Sequence, residues 1–377
     1  MPGPSRSSDP GRAFFIALPL PVEAAAPAVR RPGYLAMPST FAFRILRTLG
    51  MFVLSLFVLL ALTFVIGRIM PHDPVGLIVG ELADAQAFAA MRAKLGLDLP
   101  IPQQFWIYLQ GILHGDFGNA VLTGTPVLQD LAQAFPATLE LATLAILLSA
   151  GIGVPVGLLA ALYRDSIVDQ VVRVLSLLGH SLPVFWFAIL GLIVFYGQLQ
   201  WSPGPGRIDA FYEGIVPTRT GLLLVDSLLA GDSEVFWNAF GHLIMPAIIL
   251  AYTSMAYIVR MTRSFALEQL GQDYILTARA KGLRLRRVVV RHILPNIAVQ
   301  LITILAISYG GLLEGAVLIE IVFSWPGIGQ YMTNALLIGD MNAVVACTLL
   351  IGIVFMALNF LADLAYVALD PRTRSGE

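Results

Sequence analysis

Residues 136–162 read PATLELATLAILLSAGIGVPVGLLAAL. A bilayer's hydrocarbon core takes about 20 predominantly apolar residues per helix, and this run exceeds that length. Five further runs of the same kind follow the chain at 49–66, 175–196, 240–258, 297–323 and 343–365. Composition agrees, with 57% hydrophobic residues, only 12% charged residues and a mean hydropathy of +0.80, far too apolar for a soluble chain of 377 residues. The ten-residue alternation of an outer-membrane barrel is absent. The reading is an all-α polytopic membrane protein with six transmembrane helices. The single Cys347 lies inside an apolar run, so no intrachain disulfide can form.

Lys and Arg near the span ends set the orientation. With the N-terminus inside, the inner segments carry Arg44 and Arg47, Arg164 and Arg173, eight basic residues between 260 and 295, and Arg372 and Arg374. The outer segments carry Arg68, Arg92 and Lys94 in a loop of about 70 residues, Arg207 and Arg219 in the next, and none over 322–342. Both termini are then expected to be cytoplasmic, as an even number of spans requires.

The expected organisation is a disordered tail over 1–40, a first span with its extracytoplasmic loop over 41–135, a five-span core over 136–367 and a short tail over 368–377. The first 38 residues are Pro-rich and aperiodic, with no signal-peptide core, because the apolar stretch 14–20 is short and interrupted by Pro19 and Pro21. Met37 stands just before the membrane entry and is the expected natural start. The outer loop contains a helix-like stretch at 82–95 and a Gly-bounded turn, Gly115-Asp116-Phe117-Gly118, which either caps the outer face or docks an external partner.

The segment 260–295 is the one strongly charged stretch. It holds Arg260, Arg263, Arg279, Lys281, Arg284, Arg286, Arg287 and Arg291 against Glu268 and Asp273. Asp273 is a good N-cap, the next eight residues suffice for two helical turns, and Gly282 stands where a left-handed C-terminal cap is wanted. Arg279 and Lys281 fall in the last turn, where cations offset the helix dipole. Tyr274 and Ala278 share a face, with Thr277 and Lys281 on the adjoining stripe. A short capped helix of this kind suits a groove on another protein. Charge excess by itself would follow from topology alone.

Several polar residues lie inside the spans. Glu314 sits in the fifth among Gly310, Gly311 and Gly315, where an ionised carboxylate costs about 2.5 to 3.5 kcal/mol on insertion scales. It either lines a cavity or makes an interhelical contact beside its small neighbours. Glu320 lies nearer the outer end, with a structural or gating role. The two carboxyls are about 120° apart around a helix and do not form one site. His180, Ser181 and Pro183 open the third span, where Pro kinks the helix and the polar neighbours either satisfy freed carbonyls or line a path. The histidines show no metal-ligand spacing, so no metal site is expected.

The order of residues in the basic segment resembles the coupling loop, or Glu-Ala-Ala loop, of binding-protein-dependent ABC transporter permeases. Leu276-Thr277-Ala278 stands at Glu-Ala-Ala, Gly282 at the family's Gly, and His292, Leu294 and Pro295 at its closing positions. Leu276 and His292 depart from the general pattern. The run Asp273-Tyr274-x-x-Thr277-Ala278-Arg279-Ala280-Lys281-Gly282 is similar to the version in the dipeptide, oligopeptide and nickel branch. Elsewhere Arg68-x-x-Pro71-x-Asp73-Pro74, Leu95-Gly96-Leu97-Asp98, Gly115-Asp116-Phe117-Gly118, Ser181-x-Pro183-x-Phe185-Trp186, Gly315-Ala316-Val317 with Glu320, Phe323-x-x-Pro326-Gly327-x-Gly329 and Asp370-Pro371-Arg372 look like that branch's first permease subunit, in order.

The resemblance implies a permease that pairs with a second, similar permease, binds two cytoplasmic ATPase subunits through the loop helix and receives solute from an extracytoplasmic binding protein. Its setting is the bacterial inner membrane and its lipid, with no nucleic acid. The chain has no G-x-x-x-x-G-K-[ST] phosphate cradle, so ATP and Mg are expected on the partner subunits and no cofactor on this chain. Residues 273, 274 and 277–282 become the ATPase-coupling set. His180, Ser181, Pro183, Trp186, Glu314 and Glu320 become candidates for the translocation path or gate. A bulky residue at Gly282 or Ala278 is expected to abolish transport while leaving the fold intact. Di- or oligopeptides are the favoured solutes, nickel or another small solute of the branch the alternative. An ion-coupled carrier would show inverted repeats, and none is visible. An intramembrane hydrolase would need facing nucleophile and base, which adjacent His180 and Ser181 on a helix are not.

Overall fold

The computed structural model describes residues 40–69, 76, 84–94 and 98–369. The expectations about the N-terminal tail, Met37, the Pro-Asp motif at 71–74, residues 95–97 and the tail from 370 fall outside these residues. Residues from Ile45 onward form one compact unit, and of the unit ending at Arg44 only the first turn of a helix is described. All described regular elements are helices. In chain order they are α1 (Thr40–Ile69), α2 (Ala85–Lys94), α3 (Ile101–Leu113), α4 (Val127–Leu162), α5 (Ile167–Ser181), α6 (Val184–Gly191), α7 (Leu223–Ala230), α8 (Ser233–Leu270), α9 (Asp273–Ala280), α10 (Leu285–Val288), α11 (Leu294–Val322), α12 (Ile328–Ile338) and α13 (Met341–Leu369). Wide π-helical turns follow α6 over Leu192–Gln198 and join α10 to α11 over Val289–Ile293.

Four helical runs are long and apolar enough to cross a membrane: Val127–Leu162, Ser233–Leu270, Leu285–Val322 and Met341–Ala362. The expected third span is not one straight helix. It divides into α5 and α6, whose axes bend by 95° at the junction, and the pair counts as a fifth crossing only if taken together. Proline is the cause: Pro183 has no N–H to donate, and its ring drives Leu182 into extended backbone at φ −93° and ψ 135°. In α1 the apolar stretch is shorter, Gly50–Ile66.

The crossing helices start earlier and end later than their apolar runs. Helix α8 has 38 residues, about 57 Å at 1.5 Å per residue, against a hydrocarbon core of about 30 Å. Helix α4 begins at Val127, nine residues before the apolar run, because Val127, Leu131 and Ala134 bury one face of that first stretch against Ile328, Ala335 and Ala343. The ends beyond the apolar runs carry the connecting elements.

Helices α4 and α8 form the most extensive pair in the molecule. Small residues allow it: a Cβ on Gly157 would stand 2.7 Å from the Val259 carbonyl oxygen and 2.8 Å from Thr262 Cβ, and one on Gly153 3.1 Å from Ile258. The Ser149 hydroxyl donates to the Ala251 carbonyl at 2.8 Å across the same interface. Helix α11 packs on both, placing Leu312, Ala316 and Ile319 against Leu141, Ala145 and Leu250. On the far side α1, α3 and α13 join through Leu60, Leu349, Phe105 and Tyr108.

The connection from α6 to α7 is organised by a buried carboxylate. Asp226 accepts the backbone N–H groups of Arg219, Thr220 and Gly221 and the Thr220 hydroxyl, at 2.8–3.2 Å. Burial works to raise its pKa, but the Thr220 backbone and hydroxyl bonds and those from Arg219 and Gly221 outweigh it and hold the group below its ordinary 3.8. The Gly115–Gly118 turn is as tight as expected, with positive φ at both glycines and the Gly118 N–H on Asp116 Oδ1 at 2.9 Å.

Two outcomes follow from this packing. Gly157→Leu should lower the stability of the detergent-purified subunit by about 1–3 kcal/mol, whereas Gly151→Leu, where the added side chain meets open space, should leave the melting temperature unchanged. Because the Asp226 pKa is depressed on folding, its contribution is present above 3.8 and is lost as pH falls below that value through the folded one. The stability gap between wild type and Asp226→Asn should therefore be constant from pH 5 to 7 and close under stronger acid in thermal melts.

Candidate coupling and translocation site

Helix α9 hangs from the end of α8 by a two-residue turn, Gly271-Gln272. Gln272 rather than Asp273 is its N-cap, and no side chain makes the cap bond. Asp273 lies inside the first turn, where its charge still favours the helix N-terminus. The other end is as the sequence predicts. Gly282 has φ +78°, its N–H reaches the Arg279 carbonyl at 2.9 Å, and the Leu283 N–H reaches the Ala278 carbonyl at 3.2 Å. Those two bonds make a Schellman cap.

Ile275 and Ala278 point into the subunit's own core, against Leu158, Ala161, Val288 and Ile297. Ala278 thus seats the helix, and a bulky side chain there would unseat it rather than leave the fold intact. Asp273, Leu276, Thr277 and Ala280 are exposed, at the i, i+3, i+4, i+7 spacing of one helix face. Leu276, with 56% of its surface open, is the most prominent apolar group on that face. Sequence reading registered it only as a departure from the general pattern. Arg279, Lys281 and Gly282 are also exposed.

Two ties fix the seat. The Tyr274 hydroxyl donates to Gln269 Oε1 at 2.5 Å and accepts from Asn296 Nδ2 at 3.2 Å, linking the end of α8 to the start of α11. Deeper, Arg263 on α8 makes a bidentate pair with Asp169 on α5, Nε to Oδ1 at 2.7 Å and an Nη to Oδ2 at 2.8 Å. Asp169 is fully buried and also accepts the Asp165 N–H at 3.1 Å. Sequence reading counted Arg263 only as part of a charge excess. Its carboxylate partner lies 94 residues earlier, a distance that no local pattern spans.

The break at Pro183 borders an open cleft. Ser181 and Pro183 are exposed at the junction and Trp186 is half exposed, stacked edge-on against Phe187, which meets Tyr252 of α8. The Tyr252 hydroxyl donates to the Leu175 carbonyl at 3.0 Å, holding α5 to α8 just before the bend. Of His180 the structure describes only the backbone. Val184, the first residue of α6, forms one wall of a cleft of about 220 Å³ whose other walls include Thr253, Ser254 and Tyr257 of α8 and Ser308, Gly311 and Gly315 of α11. Glu314, the residue before Gly315, is exposed.

Glu320 is placed quite differently. It is fully buried, with Oε1 accepting from the Thr138 hydroxyl at 2.6 Å and Oε2 from the Gln330 N–H at 3.0 Å. The same Thr138 oxygen accepts the Ile328 N–H at 2.8 Å. The carboxylate therefore satisfies the open N-terminus of α12 from a neighbouring helix. This explains Gly327 in the Phe-x-x-Pro-Gly-x-Gly run, since a Cβ there would collide with the Glu320 carboxyl and Thr138 Oγ1. Trp325 closes the turn, its indole N–H on the Ala137 carbonyl at 3.0 Å. Glu320 is a buried joint between α4, α11 and α12. Next to it, Glu140 pairs with Arg207 at 2.6 Å and accepts the Leu224 N–H at 2.7 Å, tying the α6–α7 connection to α4. Sequence reading did not single out Glu140.

Among the described residues no group of three or more His, Cys, Asp or Glu side chains is arranged to hold a metal ion. The sequence matches the family model described as binding-protein-dependent transport system inner membrane component over residues 153–375, and the N-terminal model of the same transport systems over residues 40–142. The probable D,D-dipeptide transport system permease protein of Escherichia coli is 42% identical over 316 residues, 84% of this chain and 92% of that protein. The di/tripeptide transport system permease protein of Pseudomonas aeruginosa is 40% identical over 331 residues, 88% of this chain and 98% of that protein. A dipeptide transport system permease protein of Escherichia coli is 39% identical over 333 residues, with the same coverages. Matched over most of its length by both models and by relatives of this similarity, the chain belongs to the inner membrane components of binding-protein-dependent transport systems.

Proposed function

We propose that this chain is the permease subunit of an ATP-driven importer of di- or oligopeptides. The observation that carries the reading is the two-sided helix α9, with Ile275 and Ala278 seated in its own subunit and Asp273, Leu276, Thr277 and Ala280 left open on the other side. A helix end that is rigidly held yet presents an apolar knob within a polar rim has the anatomy of a docking element. The chain carries no phosphate cradle of its own, and ATP with Mg belongs to two partner ATPase subunits gripping α9 and its counterpart on a second permease. The excess of Arg and Lys over 260–295 supports a cytoplasmic position for α9, which puts both termini inside. An extracytoplasmic binding protein then delivers solute at the opposite end, and peptides are favoured because the relatives named above are dipeptide or di/tripeptide permeases.

Closure of the ATPase pair would press on the exposed face of α9. The load passes through Ile275 into α4 and α11, and through the Tyr274 and Asp169–Arg263 ties into α5, so the helices rock together instead of bending singly. Leu276→Asp should leave the unfolding free energy of the isolated subunit within about 0.5 kcal/mol of wild type, yet cost the ATPase in co-purification and lower peptide uptake by about tenfold or more. Ile275→Asp should instead destabilise the subunit itself by about 2 kcal/mol or more. Full uptake and intact co-purification in the Leu276→Asp complex would remove α9 as the docking element. Uptake of labelled dipeptide compared with nickel ions in the reconstituted wild-type complex tests the solute class.

A further inference from the structure

The exposed face of α11 runs through Thr303, Ile307, Gly311, Glu314, Leu318 and Ile321, every three or four residues along the helix. One carboxyl group therefore stands in the middle of an otherwise nearly apolar stripe. Among the described residues Glu314 has no hydrogen bond and no ion pair. Facing hydrocarbon, such a group costs about 2.5 to 3.5 kcal/mol or more, so the stripe faces protein, water or a passing solute. At Gly311 it runs into the cleft between α6, α8 and α11. No Cβ contact would arise at Gly311 within 4 Å, which leaves room along the helix backbone there. The cleft itself carries hydroxyls and no fixed charge: Thr253, Ser254, Tyr257 and Ser308. The Thr253 hydroxyl is spent on the Leu250 carbonyl at 2.9 Å, whereas the Ser254 oxygen is buried with no hydrogen-bond partner among the described residues.

We propose that Glu314 is the counter-charge for the cationic amino terminus of a peptide moving along this face, with the Ser254 hydroxyl donating to the peptide's carbonyl or carboxylate oxygens. The proposal rests on the reading of the chain as a peptide permease and adds to it the residue that recognises the ammonium group. The chemistry is complementary at both ends. A dipeptide brings one ammonium group, which seeks a carboxylate, and several oxygen acceptors, which seek uncommitted donors. A single carboxylate with neutral hydroxyls also leaves side chains unread, so peptides of different sequence can pass the same point.

The test uses the complete complex in proteoliposomes, with both permeases, the ATPase subunits and the binding protein, and labelled dialanine as solute. Glu314→Gln should lower uptake by about tenfold or more while all subunits still co-purify. Glu314→Asp should retain at least about half of wild-type uptake and Ser254→Ala should lower it several-fold. Unchanged uptake in Glu314→Gln would overturn the proposal. So would loss of the second permease from the Glu314→Gln complex, which would make Glu314 an intersubunit contact. Failure of the wild-type complex to import any dipeptide would sink the peptide reading, an outcome seen before any variant is compared.

Discussion

The close approach of α4 to α8 is the constraint on which the other contacts rest. Within lipid there is little hydrophobic gain from bringing two apolar helices together, so association depends on how near the backbones come and on the few polar groups they share. Gly157 lets α4 come within van der Waals reach of the Val259 carbonyl, and the Ser149 hydroxyl spans the same seam. Helix α11 then has a fixed groove to fill. A side chain at Gly157 would separate α4 from α8 and loosen α11 with them.

Polar joints hold the two ends of this frame, and each follows the same rule. A buried charge is tolerated only when paired or saturated with hydrogen bonds. At the α9 end Asp169 takes both arms of the Arg263 guanidinium and a backbone N–H. At the other end Glu320 takes the Thr138 hydroxyl and the N-terminus of α12, and Glu140 takes Arg207 and the first turn of α7. Such joints are directional, unlike apolar contacts, and they give the helices a definite register. Glu314 stands apart from these joints because no described residue answers it.

Which parts of this were readable in advance can be followed residue by residue. The Schellman cap at Gly282 was legible because a left-handed residue after a short helix has few chemical solutions. The break at Pro183 was expected as a kink but not as a 95° turn, since the angle depends on Phe187, Tyr252 and Gly179 packing α5 and α6 onto α8. Ala278 was placed in the coupling set with a bulky substitution expected to spare the fold, because helical spacing gives relative faces and not which one turns inward; the core around Ile275 and Ala278 settles that. Glu320 was recognised as a motif residue, yet its role as a cap for α12 depends on Thr138, 182 residues away.

Hydropathy, charge balance and turn chemistry were thus enough to establish a helical membrane protein with a short capped helix on a basic segment. These properties act within a few residues along the chain, because a helix satisfies its own backbone and a bilayer sorts segments by length and polarity. The inward face of α9, the partners of Asp169, Glu140 and Glu320, and the isolation of Glu314 came only with the assembled helices. They are set by side chains meeting from distant parts of the chain, where shape and charge must match in three dimensions and local order along the sequence holds no record of the match.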